Sequence, residues 1–143
     1  NFTKFIVGKV FLGDSGSTIL GFFIVWNLIE LTQSPNQVIR PVAALFFIAL
    51  PIFDTLSVFS ARLLNSESPF AHDRKHIHYL LIALGLKERS VLVLLMFFSL
   101  LLSAIGTILE LFRVSELLMS LLLIIILVSY QIIFFRLLKK SNN

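Results

Sequence analysis

The chain has 143 residues, of which 57 % are hydrophobic and only 14 % charged, and its formal net charge at neutral pH is +4. A soluble fold of this length cannot bury so much apolar surface in one core, so the composition excludes an ordinary soluble domain and predicts a bilayer as the solvent. The sequence contains no cysteine, which excludes disulfide frameworks and thiolate metal sites.

The first predicted element is an apolar helix over about residues 17–31, interrupted by Asn27 and preceded by the string F-L-G-D-S-G-S at residues 11–17. Glycines let a backbone approach a ligand closely, and a helix amino terminus offers unpaired N–H groups to anions. A carboxylate at such a place can hold Mg²⁺ against substrate phosphates. In isolation, however, the string is more typical of a serine helix cap with Asp14 as a turn residue, and only its context favours the metal site.

The second predicted span covers about residues 42–59 and contains Pro51 and Asp54. Pro51 predicts a break in this helix, because proline lacks the N–H that continues the helical hydrogen bonding. Asp54 is expected within about one or two turns of the cytoplasmic helix end. A carboxylate inside a span is costly, which favours a functional or paired group that faces the bundle interior. The alternative is an interfacial Asp54 that bonds Thr55 or Ser57 and touches water.

A polar loop over about residues 61–90 follows, and its string S-P-F-A-H-D-R-K-H-I-H-Y at 68–79 holds all three histidines of the chain. Arg74 and His78 would share a face in helical backbone, whereas His76 and His78 would share one only in extended backbone, so the conformation stays open. In either conformation the loop offers a cluster of donors that suits a diphosphate.

Two other interpretations of this loop compete with a phosphate site. Zinc is the competing ligand for an H-x-H string, but the sequence offers neither a cysteine nor a separate histidine to complete its coordination. A loop that only touches lipid headgroups is the structural alternative, and it fits Lys87 and Arg89 better than it fits three clustered histidines.

The last two predicted spans, residues 91–109 and 117–135, contain no charged residue, and each has the roughly 20 residues that a spanning helix needs. Gly106 is expected to permit close helix packing, and the few polar side chains are expected to bind neighbouring helices together. These polar residues are Ser99, Ser103, Thr107, Ser120, Ser129 and Gln131.

The basic residues predict the topology of these four spans. Only Arg40 and Arg113 fall in the connections on one side, and by the positive-inside rule the other side is cytoplasmic. The residues on the predicted cytoplasmic side are Lys4, Lys9, Arg62, Arg74, Lys75, Lys87, Arg89, Arg136, Lys139 and Lys140. The positive net charge follows from this asymmetry, so no nucleic-acid partner is expected.

Three strings, F-L-G-D-S-G-S, P-I-F-D-T and S-P-F-x-x-D-R-x-H-I-H, occur in this order with spanning helices between them. Together they resemble the polyprenyl-phosphate N-acetylhexosamine-1-phosphate transferases, from about Gly8 to the end of the chain. The branch that uses N-acetylglucosamine and undecaprenyl phosphate is the most similar. The expected fold is an all-α polytopic membrane protein, with about four transmembrane helices in one unit over residues 1–143. This unit would be part of a larger helical bundle in the bacterial inner membrane, with the donor-binding loop and the carboxyl terminus cytoplasmic.

The resemblance implies transfer of N-acetylhexosamine-1-phosphate, most simply that of N-acetylglucosamine, from a UDP-sugar to undecaprenyl phosphate. UMP would be released, and the product would start a lipid-linked envelope glycan such as an O-antigen of lipopolysaccharide. Asp14 matches the family's catalytic aspartate that binds Mg²⁺, for which Mn²⁺ is an alternative, and Asp54 matches a second acidic catalytic position. The implied substrate-binding residues are Ser17, Asp73, Arg74, His76, His78 and Tyr79.

The chain departs from the family pattern in two respects. The family's loop usually ends H-I-H-H, and Tyr79 stands at its last position, where it can donate a hydrogen bond but cannot carry positive charge near neutral pH. The family's paired aspartates, which lie upstream, are not found in these residues. We therefore expect the chain to be the carboxyl-terminal part of the enzyme, with the amino-terminal part as its partner, and to be inactive alone.

Two other functional classes stay open at this point. A transporter or channel subunit would line a permeation path with Asp54 and the basic loop, and a noncatalytic membrane scaffold would retain the motifs by descent. The downstream polymer and the oligomeric state are not encoded in the motifs.

Overall fold

In the computed structural model, the structure describes residues 13–33, 35, 37–66, 68 and 76–141, with the side chain of Asp14 excepted. All regular elements in these ranges are helices, which confirms the predicted all-α class. The chain divides into two compact units, one ending at Val38 and one beginning at Ile39. A single transmembrane unit over residues 1–143 stays a prediction.

The helices, in chain order, are α1 Gly13–Gln33, α2 Pro41–Phe47, α3 Ala49–Leu64, α4 Ile77–Ala83, α5 Glu88–Leu111 and α6 Glu116–Ser141. Among the described residues, α1, α5 and α6 are long and apolar enough to cross a membrane. The bent pair α2 and α3 makes a fourth crossing if it counts as one span. The predicted count of about four therefore agrees with the structure.

Helix α1 belongs to the first unit and is apolar on all sides. Phe22 and Trp26 are 67 % and 58 % exposed within the structure, as expected of a helix whose partner is lipid or another protein segment. The Asn27 side chain donates from Nδ2 to the Phe23 carbonyl oxygen at 2.7 Å, so it does not break the helix. The helix begins at Gly13 and not at about residue 17, which places Asp14 in the first turn instead of before it.

The predicted second span is two helices, because α2 and α3 meet at Ile48 with a bend of 76°. The cause lies one turn further on, at Pro51. This residue has no N–H to donate to the carbonyl of Phe47, and its ring crowds that carbonyl, so a continuous helix cannot pass through this point. Within α3, Pro51 occupies the first turn, where a missing N–H costs little. The predicted break is therefore correct in its cause, and it lies one turn earlier than Pro51.

Helices α5 and α6 form an antiparallel hairpin, and the bent pair runs along it. Helix α2 packs against α5 near the hairpin connection, and α3 packs mainly against α6, while α4 packs against both. The larger core cluster contains side chains from α3, α4, α5 and α6, and a smaller one contains side chains from α2 and α6. The larger cluster comprises Ala49, Phe53, Val58, Ala61, Ile77, Leu80, Leu102, Tyr130 and Phe134. The smaller comprises Ala43, Phe46 and Met119.

Gly106 is the point of closest approach between α2 and α5, as the sequence predicts. A Cβ atom at this position would lie 2.5 Å from Cβ of Phe46 and 3.3 Å from the carbonyl oxygen of Ala43. Because both neighbours are close to the backbone, neither can rotate away, and α2 would have to move. This contact fixes the distance between the two helices.

We therefore expect Gly106→Ala to lower the free energy of unfolding in detergent by about 1–3 kcal/mol, the usual cost of overpacking a tight contact. The matched control is Gly21→Ala in α1, where a Cβ atom would meet nothing within 4 Å. There alanine should be neutral or stabilising by up to about 1 kcal/mol, because it is the better helix former. Equal effects at the two positions, measured by thermal unfolding, would contradict the packing account.

Candidate functional site

The Asp54 carboxylate on α3 connects three parts of the second unit. Its Oδ2 atom lies 2.8 Å from Nδ1 of His76, and its Oδ1 atom accepts a hydrogen bond from the backbone N–H of Ile77 at 2.9 Å. The Tyr130 hydroxyl on α6 lies 3.4 Å from the same Oδ1 atom. Asp54 therefore links the start of α4, where His76 and His78 lie, to helices α3 and α6.

The side chain of Asp54 is 17 % exposed, so the carboxylate is paired and largely enclosed within the bundle. This confirms the prediction of a paired group, and the alternative that involved neighbouring hydroxyls is wrong. Thr55 and Ser57 donate instead to the carbonyl oxygens of Pro51 and Phe53 on their own helix. Because α3 continues to Leu64, Asp54 lies about three turns from the helix end, deeper than the one or two turns predicted.

His76 is the residue that caps α4, and its backbone is extended, with φ −63° and ψ 149°. An ionised carboxylate can only accept hydrogen bonds, so the contact with Asp54 assigns the proton to Nδ1. The second ring nitrogen, Nε2, does not contact Asp54 and can bond another group. It accepts a hydrogen bond when the ring is neutral and donates one when the ring is protonated. The side chain is 39 % exposed, which leaves His76 accessible to a ligand.

His78 and Tyr79 follow in the first turn of α4, so the backbone of the string is helical from Ile77 onward. The rings of His76 and His78 are stacked, with centroids 6.0 Å apart and planes 14° apart. The ring of His78 also lies 4.0 Å from that of Tyr79, centroid to centroid. An extended residue followed by a helical turn thus brings all three rings to one place.

Partial burial lowers the pKa of His78 below its ordinary value of 6.5, and the nearby His76 lowers it further, whereas Asp54 opposes both. His78 is therefore mainly neutral at pH 7, where it acts as a hydrogen-bonding group and not as a fixed charge. Its ring nitrogens can still donate to one ligand atom and accept from another.

The lowered pKa predicts a loss of stability in acid. Because His78 binds a proton less readily in the folded chain than in the unfolded chain, the folded state loses stability as the pH falls through 6.5. We expect the thermal unfolding temperature in detergent to drop from about pH 7.5 to about pH 5.5, and to drop less in His78→Asn. Parallel pH profiles for the two proteins would contradict this assignment.

The structure shows less of the other predicted site residues. Asp73, Arg74 and the side chain of Asp14 lie outside the described residues, and Ser17 is an exposed residue of α1. Tyr79 is 40 % exposed. Within the described ranges no group of three or more potential ligands is arranged to hold a metal ion, and the Asp54 oxygens already accept hydrogen bonds. Binding of Mg²⁺ or Mn²⁺ by Asp14 stays a prediction.

Sequence reasoning did not indicate that Tyr130 or Arg62 is buried. Tyr130 is only 8 % exposed although it lies in an uncharged predicted span, and Arg62, placed above on the predicted cytoplasmic side, is only 9 % exposed. The one available signal for Tyr130 was its residue type, since the chain contains only two tyrosines. Nothing local in the sequence indicated that Arg62 is buried.

Four of the six polar side chains that were predicted to bind neighbouring helices donate instead within their own helices, and for Ser99 and Gln131 the interpretation stays a prediction. Ser103 and Thr107 donate to backbone carbonyl oxygens of α5, four residues earlier in each case. Ser120 and Ser129 donate to carbonyl oxygens of α6. These four hydroxyl groups are thus satisfied within their own helices and do not line a polar path between them.

An ion pair closes the opposite end of the second unit. Arg40, just before α2, contacts Oε2 of Glu110 through Nε at 2.8 Å, and it donates from Nη1 to the carbonyl oxygen of Val114 at 2.6 Å. Tyr130 lies 14 residues beyond the start of α6, about 21 Å along the helix axis. The bent pair therefore runs from the connection of the hairpin towards the histidine end, as a broken span would.

This architecture defines a polytopic helical membrane protein with a histidine cluster anchored by a carboxylate at one end. The chain is 39 % identical over 126 residues to an undecaprenyl-phosphate alpha-N-acetylglucosaminyl 1-phosphate transferase of Pasteurella multocida, a match that covers 87 % of this chain and 35 % of the relative. The Escherichia coli K12 transferase of the same name is 43 % identical over 102 residues, covering 71 % of this chain and 28 % of the relative. That of Haemophilus influenzae is 40 % identical over 108 residues, covering 76 % and 30 %.

No model of a protein family matches the chain, and no solved structure matches it. The three similar proteins nevertheless confirm the resemblance predicted from the motifs. The chain is homologous, over most of its own length, to undecaprenyl-phosphate alpha-N-acetylglucosaminyl 1-phosphate transferases. It spans about a third of the length of these relatives.

Proposed function

We propose that this chain carries the donor-binding part of an enzyme that transfers N-acetylglucosamine-1-phosphate from a UDP-sugar to undecaprenyl phosphate, with release of UMP. The observation that carries the proposal is the contact of 2.8 Å between Asp54 and His76. It fixes His76, the first described residue of the most distinctive string of the sequence, D-R-x-H-I-H, on the bundle. The names of the homologous proteins support the acceptor and the sugar.

The histidine end of the bundle suits a diphosphate. Protonated His76 would donate from Nε2 to a phosphate oxygen while Asp54 holds Nδ1, and neutral His78 would add a hydrogen bond from the same face. Arg74, in the same string, would supply fixed positive charge for the departing UMP. Donors held in place before the reaction stabilise charge that develops on phosphoryl oxygens without having to reorganise.

A divalent cation belongs to the same proposal. Asp14 would hold Mg²⁺, which, when bound, neutralises the diphosphate and polarises the phosphorus atom under attack. Asp54 has a different proposed role, because its oxygens are engaged by His76 and Ile77. We propose that Asp54 orients His76 and contributes to catalysis only through that residue.

The proposed location is the cytoplasmic face of a bacterial inner membrane. The start of α5 and the end of α6 lie at the same end of the hairpin, and both carry basic residues, including Arg89 and Lys139. Positive charge concentrated at one end of a helical bundle is typical of the cytoplasmic side. The UDP-sugar is a soluble cytoplasmic substrate, so this orientation would give it access to the histidine cluster.

A release assay tests the proposal. The complete gene product in membranes should release UMP from UDP-N-acetylglucosamine only when undecaprenyl phosphate is present, and Asp14→Asn should reduce the release by at least about 100-fold. The matched control is Glu30→Gln, which removes an exposed carboxylate from the other end of α1 and should leave the rate unchanged. A transporter or a noncatalytic scaffold would release no UMP in any of the three proteins.

A further inference from the structure

Tyr130 lies in the uncharged part of α6, between Ser129 and Gln131, and its side chain is closely packed. It is 8 % exposed, and its ring packs against those of Phe53 and Phe98, at centroid distances of 5.8 and 6.4 Å. The hydroxyl lies 3.4 Å from Oδ1 of Asp54, across 76 residues of sequence. The hydroxyl of a buried tyrosine usually has a hydrogen-bond partner.

We propose that Tyr130 is a positioning residue, which acts through Asp54 to orient His76 for the donor diphosphate. The identity of the donor rests on the proposed function, whereas the contacts of Asp54 with Tyr130 and His76 do not. The consequence of the proposal is that α6 contributes to donor binding although none of its side chains needs to touch the donor.

The argument follows the two carboxylate oxygens. Oδ2 contacts His76, while Oδ1 receives the N–H of Ile77 and lies next to the Tyr130 hydroxyl. Donors on Oδ1 stop the carboxylate from rotating about its last bond, and that rotation would carry Oδ2 away from Nδ1 of His76. Groups behind a ligand-binding histidine fix the orientation of its ring in this way.

The magnitude of the effect follows from the distance. At 3.4 Å the hydroxyl contact is long for an O–H···O hydrogen bond, so Tyr130 assists Ile77 and does not replace it. One hydrogen bond of ordinary strength corresponds to roughly a three- to tenfold change in an equilibrium constant. We expect an effect within this range on donor binding, and none on acceptor binding.

The test is Tyr130→Phe in the complete protein, which removes only the hydroxyl and keeps the ring packing. The KM for UDP-N-acetylglucosamine should rise roughly three- to tenfold, while the KM for undecaprenyl phosphate stays unchanged. Phe98→Leu is the packing control: it should lower thermal stability without separating the two KM values. A change of equal size for both substrates in Tyr130→Phe, or no change at all, would overturn the proposal.

Two further measurements keep the result interpretable. In a His76→Ala background, adding Tyr130→Phe should change donor KM no further, since the two residues act in one chain of contacts. A persistent effect would show that Tyr130 acts by another route. If the wild-type protein releases no UMP, the proposed function fails. The ¹⁵N resonances of the His76 ring then test the Tyr130 proposal without any activity measurement. They should shift in Tyr130→Phe and not in Phe98→Leu. Unchanged resonances in Tyr130→Phe would overturn the proposal.

Discussion

Asp54→Asn is expected to reduce UMP release by the complete protein by at least about 100-fold, because the substitution reverses the hydrogen bonding at His76 without changing the shape of the site. The amide oxygen can still accept from the N–H of Ile77. Its NH₂ group, however, faces Nδ1 as a donor, so this ring nitrogen must accept. An amide NH₂ cannot face a protonated Nδ1, so His76 loses both the negative charge beside its ring and the protonated form that pairs with it. A neutral ring with its proton on Nε2 can offer the diphosphate only a weaker, uncharged hydrogen bond.

The matched control for this prediction is Thr55→Val, one residue along α3. The Thr55 hydroxyl donates only to the carbonyl of Pro51 among the described contacts, so its removal should change activity by less than a few fold. Thermal unfolding of both variants in detergent separates lost chemistry from lost folding. If Asp54→Asn retains activity close to that of Thr55→Val, Asp54 does not orient the donor site.

Arg40→Met should produce the largest loss of stability that the structure predicts. The side chains of Arg40 and Glu110 are 18 % and 14 % exposed, so removal of the guanidinium leaves a nearly enclosed carboxylate without its partner. The carbonyl of Val114 loses its donor as well. Breaking a fully buried pair costs roughly 3–5 kcal/mol, and we expect about 2–4 kcal/mol here because some solvent contact remains.

A double variant shows whether the loss comes from the unpaired charge. Arg40→Met combined with Glu110→Leu removes both charges and should recover most of the unfolding temperature, since apolar pairs often replace buried ion pairs without loss. Arg113→Gln, which removes an exposed cation from the connection between α5 and α6, is the control and should have little effect. A single variant as stable as Arg113→Gln would mean that the ion pair contributes little to stability.

The spanning helices were predictable because their signal is local. The uncharged, mainly apolar runs at 91–109 and 117–135 lie inside α5 and α6, and the structure extends each by a few residues into polar flanks. The sequence predicted a helix break at Pro51, and in the structure the break lies earlier in the chain. A proline disturbs the carbonyl four residues earlier, so the bend falls at Ile48, outside the residue that causes it.

The site was predictable only in part, because its decisive contacts join distant residues. The motif strings singled out His76 and Asp54, but their separation of 22 positions in the sequence includes a loop whose path no periodicity describes. Tyr130 lies further away still, in an uncharged span where no motif marks it. The serine and threonine hydroxyls failed as predicted interhelical contacts because the carbonyl one turn earlier on the same helix is always within reach.

The central claim is that His76, held by Asp54, binds the donor diphosphate. The most direct measurement is an experimental structure of the complete protein with UDP bound. The account predicts that Nε2 of His76 lies about 2.7–3.1 Å from a phosphate oxygen, while Nδ1 keeps its contact with Asp54. A diphosphate bound elsewhere, with Nε2 of His76 more than about 6 Å from every phosphate oxygen, would contradict it.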